Sequence, residues 1–173
     1  MIAMDEVLET AAPTAFSLSQ AQVLLLQAHH EAGHAVVAMN EGLPVISLEI
    51  RQHDGTDGSW SIDGITYMTY LPRLADGFAL QGAAGELAAL RWLDENGLRS
   101  EEIVAAANAD HDRDQVIELL TQDGIRISWP DVRNRAQNLV RALWPQIRTV
   151  AHAAAEKGRL TEAEITNLVT ATA

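Results

Sequence analysis

The stretch "QAHHEAGHAVVAMNEG", residues 27–42, decides how this chain is read. Val23, Leu24, Leu26, Ala28, Ala32, Ala35, Val36 and Met39 recur at helical spacing through it and just upstream. Ser17 or Ser19 can cap such a helix, and Gly42 follows Asn40 as a C-terminal stop. The predicted helix therefore carries His30-Glu31-Ala32-Gly33-His34, which has the form H-E-x-x-H. Residues four apart share a helix face, so His30 and His34 can point imidazoles at one ion. Glu31 sits on nearly the same side, where it reaches a water on that ion rather than the ion itself. Zinc lowers the pKa of such a water to about 7, and a free carboxylate can take its proton and pass it to a leaving amine. The competing explanation is a histidine-rich patch on an ordinary packing helix.

Outward from this helix, "PVISLEIRQ" places Ile46, Leu48 and Ile50 on one side in alternation, which predicts a strand. "HDGTDG" is a turn cluster, and "SWSIDGITYMTYL" predicts a second strand, interrupted at Gly64. The pair reads as a β-hairpin, and the strand at 45–51 or the one at 59–68 is a candidate sheet edge. After Pro72 the pattern is helical. One helix ends at Gly97, with small residues at 82–85 suited to close packing, and a short one starts after Ser100. "ADHDRDQVIELLTQDG" is a helix stopping at Gly124. Another runs from Ser128 toward Lys157, kinked by Pro145 and ended by Gly158. Thr161 and Glu164 form a capping box for the last. Residues 1–16 lack a clear pattern and are expected to be poorly ordered, leaving 17–173 as a single domain. The fold class is mainly α (α+β), with a small β-hairpin or sheet beside the H-E-x-x-H helix.

Composition narrows the chemistry. The chain has 173 residues and 47% hydrophobic content, enough for a core without disulfides. It has no cysteine, so a metal would be held by His, Asp or Glu. A net charge of -12 disfavours nucleic acid and anionic membranes as partners. No apolar run is long enough for membrane insertion, and "MIAMDEVLETAAPT" does not read as a signal peptide. A cytoplasmic location is the simplest reading, and the oligomeric state is not legible.

"HHEAGHAVVA" closely resembles the zinc helix in the peptidase domain of the FtsH family of ATP-dependent zinc metalloproteases. "VISLEI" stands where that family has its first strand after the helix, and "QGAAGELAAL" resembles its Gly-Arg-Ala-Ala-Glu-Glu-Leu helix. "NADHDRDQVIELL" resembles its Asn-Asp-Leu helix, which supplies a third zinc ligand as Asp. The likeness spans about residues 25–160 and implies a helical zincin-like fold with Zn2+ as cofactor. Among Asp110, Asp112 and Asp114, Asp112 is the preferred third ligand. It shares a helical face with Val116, Leu119 and Leu120, and the family's spacing lands on Val116 and Leu119. Asp110 is the second choice. Glu86 is the rival, because other H-E-x-x-H peptidases use a Glu from a later helix. Under the resemblance Glu86 would instead steady a ligand histidine, but Gly85 stands where the family has one of two paired acidic residues. His29, His53, His111 and His152 read as surface or packing residues.

The resemblance implies a zinc-dependent metallopeptidase with Glu31 as general base and His30, His34 and Asp112 on the metal. The alternatives are a catalytically silent metal-binding interaction module of the same fold, and a helical protein whose histidines are incidental. The chain contains no G-x-x-x-x-G-K-[ST] phosphate loop. The expected activity is therefore ATP-independent, on flexible peptides or unfolded protein, or in the service of a separate protein partner. Edge-strand pairing is a way for such an enzyme to hold peptide without demanding a fixed sequence.

Overall fold

The computed structural model describes residues 2–8, 18–106 and 110–172. In chain order these form β1 (Ile2–Leu8), α1 (Gln20–Asn40), β2 (Val45–Asp54), β3 (Trp60–Met68) and a 3-10 turn (Pro72–Leu74). There follow α2 (Ala75–Glu95), α3 (Glu101–Ala106), α4 (Asp110–Gln122), α5 (Trp129–Ala142), α6 (Trp144–Lys157), β4 (Arg159–Thr161) and α7 (Glu162–Thr172). The protein is mainly helical with one small antiparallel sheet, in strand order β1-β3-β2-β4. No helix among the described residues is long and apolar enough to cross a membrane.

The first long helix is the centre of the molecule. Ser19 caps α1 in a full capping box: its side chain accepts from the Gln22 amide, and its own amide donates to Gln22 Oε1 at 2.8 Å. Ser17, the other candidate cap, lies outside the described residues. From Gln27 to Ala38 every residue of α1 is buried, because α2, α6, β2 and β3 all pack on it. A helix enclosed this way must be narrow where it meets its neighbours. Gly33 shows how narrow: a Cβ there would stand 2.6 Å from the Ala84 carbonyl oxygen of α2.

The sheet corrects several expectations. Residues 2–8, part of the N-terminal segment without a clear pattern, form β1, paired with β3 from Ile2↔Met68 to Leu8↔Ile62. Pairing of this kind satisfies backbone groups on both strands and needs no side-chain period, so a pattern search misses it. Neither central strand is a bare edge: β1 covers β3, and β4 covers Ser47–Glu49 of β2. A bulge between Val45 and Ser47 breaks the predicted alternation of β2. It turns Ile46 outward and buries Val45 in line with Leu48 and Ile50. Strand β3 runs through Gly64 without interruption.

Pro145 ends one helix and opens another rather than kinking a single one. Helix α5 closes at Leu143, and Pro145 falls in the first turn of α6, where its missing N–H costs nothing. The break lets α5 pack on α2 while α6 packs on α1. Thr161 and Glu164 cap α7 as expected, with the Thr161 amide donating to Glu164 Oε2 at 3.0 Å.

Candidate metal centre

His30 and His34 lie one turn apart on α1, and Asp112 reaches them from the first turn of α4. Asp112 Oδ2 is 3.0 Å from His30 Nε2 and 3.2 Å from His34 Nε2, and the two ring nitrogens are 2.8 Å apart. The phase of α4 brings Asp112 inward: it shares a buried face with Val116 and Leu120. Asp110 lies on the exposed side, paired with Arg113 Nη1 at 2.6 Å. Glu86 points away into a bond with Arg133 Nη2 at 3.0 Å. The first-choice third ligand is thus brought to the histidines, and neither rival is. Asn108 and Ala109, which open the Asn-Asp-like motif, lie outside the described residues.

The donor set suits a divalent ion. His34 Nδ1 donates to the Gln81 carbonyl at 2.8 Å, which in a neutral ring leaves the Nε2 lone pair facing the cluster. Three ligands placed tetrahedrally about 2.0–2.1 Å from one zinc are about 3.3 Å apart, close to the spacing seen here. Asp112 Oδ1 is buried with no hydrogen-bond partner among the described residues, an expensive state for a carboxylate unless something further binds it. His30, His34 and Asp112 therefore form a buried group that could hold a metal ion.

Two glycines make room for this centre. A Cβ at Gly85 would stand 2.3 Å from His34 Nε2 and 2.7 Å from His30 Nε2. With the rings so placed, position 85 has no room for a side chain. A Cβ at Gly64 would stand 2.5 Å from Glu31 Cγ. That explains a glycine inside an unbroken strand: it leaves room for Glu31 between α1 and β3.

Glu31 is held beside the cluster without belonging to it. Thr66 Oγ1 donates to Glu31 Oε2 at 2.7 Å, and Gln27 Nε2 donates to Oε1 at 3.3 Å. Burial pushes the Glu31 carboxyl up to about 7, with the histidines and Thr66 pulling the other way. Burial also opposes charge on His34, yet Asp112 outweighs it and raises that ring above its ordinary value. Asp112 is held well below the usual carboxylate range: burial would raise it, but His34 and His30 prevail.

The remaining histidines lie elsewhere. His29 is buried against the rings of Trp92 and Trp144, with Nδ1 donating to the Leu25 carbonyl at 2.7 Å. His53 pairs with Asp63 at 2.6 Å, and His111 and His152 are exposed. Sequence reasoning missed Thr66, Gln27 and Gln81. Gln27 had a local signal, lying one turn before Glu31 on the same helix. Thr66 depends on strand register, and Gln81 acts through its backbone carbonyl, which any residue supplies.

Fold and centre together define an α+β protein with a buried His-His-Asp group beside a separate carboxylate. No protein-family model matches the chain, and no curated protein matches it.

Proposed function

We propose that this protein is a zinc-dependent, peptidase-like hydrolase of the helical zincin-like kind, acting on flexible peptides or unfolded protein. The observation that carries this reading is a division of labour: three donors converge on one point, and Glu31 is held next to them by Thr66 and Gln27. A zinc ion would bring the pKa of water to about 7 and polarise a substrate carbonyl. His30 and His34 would hold it through Nε2, with Gln81 fixing the His34 ring, and Asp112 would hold it through its carboxylate. Glu31 takes a proton from the attacking water and delivers it to the leaving amine. Burial raises the Glu31 carboxyl, which favours its holding the proton between the two transfers.

A second reading, a metal-binding module without turnover, draws on burial. His30, Glu31, His34 and Asp112 are 3%, 1%, 0% and 1% exposed, whereas a hydrolase must admit its substrate. One set of measurements separates the two. The purified protein should contain stoichiometric zinc, and Glu31→Gln should retain it while losing cleavage of casein by about 10²–10⁴-fold. Absence of zinc removes both readings. Zinc in a wild-type protein that leaves casein intact favours the module.

A further inference from the structure

Strand β1 pairs with β3 and also packs on α4. It therefore runs between the strand that holds Glu31 and the helix that carries Asp112. On the ladder Met4 stands opposite Thr66 and Glu6 opposite Gly64, the two β3 positions against Glu31. Take β1 away and the outer backbone of β3 becomes a free antiparallel edge directly beside the centre. An edge of that kind recognises an extended peptide through main-chain hydrogen bonds, with little demand on its sequence.

We propose that β1 is a resident occupant of a peptide-binding edge: Ile2–Leu8 lies where an extended peptide substrate would lie, and substrate must displace it. The weak side-chain period of "IAMDEVL" fits this role, since the slot it fills is read through the backbone. Tethering gives β1 an effective concentration near the millimolar range, so a free peptide competes poorly until the tethered strand is loosened. The proposal rests on the site reading only in calling the displaced peptide a substrate; the edge and its occupant can be tested without metal or turnover.

The test uses the full chain, stripped of metal with EDTA. Its probe is a fluorescein-labelled peptide of the β1 sequence, IAMDEVL, followed by fluorescence anisotropy. Neighbouring residues of a strand aim their N–H groups to opposite sides, so Met4→Pro with Asp5→Pro removes one bond to β3 whichever parity faces it. We expect the double variant to bind the probe at least about ten-fold more tightly than wild type. Equal affinity, or no binding by the variant, overturns the proposal. If the double variant loses its cooperative thermal melt, the two single variants replace it. The one whose N–H faces β3 should bind the probe, and the other should behave as wild type, because an edge strand tolerates proline on its outer side. Three indistinguishable proteins would equally overturn it. A failed zinc or casein measurement leaves this result standing, and failure here leaves zinc binding untouched.

Discussion

Gly85 shows what a single residue decides in this molecule. Its missing side chain is the space in which the two ligand-type nitrogens meet. Gly85→Ala puts a methyl group into that space, and the rings must turn away or α2 must back off. Overpacking of this sort costs about 1–3 kcal/mol, and the damage falls on the donors themselves. The expected outcome is a lowered melting temperature together with loss of bound zinc in metal analysis. His29, next to His30 in sequence, answers to different neighbours. Its Nδ1–H is spent on Leu25, its Nε2 has no partner among the described residues, and burial pushes its pKa down from 6.5 to about 4. The unfolded chain therefore binds the proton more readily than the folded one. Well above pH 6.5 both states are neutral at this position and it has no effect on stability. As pH falls toward 4 the unfolded state gains, by up to ~3 kcal/mol. Denaturant unfolding of His29→Phe across that interval should show a flatter pH dependence than wild type.

At the scale of elements, the rotation of α4 about its axis chooses between two aspartates. Asp110 and Asp112 are two residues apart, so they cannot share a face, and Val116 and Leu120 turn Asp112 inward. Asp112→Asn should reduce zinc retention to background, whereas Asp110→Asn should retain zinc like wild type; metal analysis after dialysis reads both. That choice was legible in the sequence because helical phase is written in the positions of apolar residues. So were α1, the hairpin of β2 and β3, and the caps at Ser19 and Thr161, each of which rests on contacts within a few residues. What escaped depends on distant partners. Strand β1 is fixed by the backbone of β3, and the bulge in β2 by register with that same strand. Gly64 looked like a strand breaker because its reason, Glu31, lies more than thirty residues away. Pro145 announced a disturbance, but whether a helix bends or restarts depends on what each half packs against, here α2 and α1.

For the molecule as a whole, a metal ion would tie α4 to the central helix α1. An ion that binds the folded state alone adds about 2.7 kcal/mol at a concentration 100 times its Kd. For a chain of this size that is a rise of about 5–10 °C in melting temperature. Thermal melts with EDTA and with added zinc should show the shift in wild type and not in Asp112→Asn. The sheet has its own consequence at this scale. Its borders are β1 and β4, and β4 is only 3 residues long. Lifting β1 exposes the outer edge of β3 from Ile62 to Met68 as a row of unsatisfied donors and acceptors. Backbone pairing does not distinguish a chain's own β1 from that of a neighbour. Opening this border would let copies exchange their β1 strands, a route to dimers that grows with protein concentration.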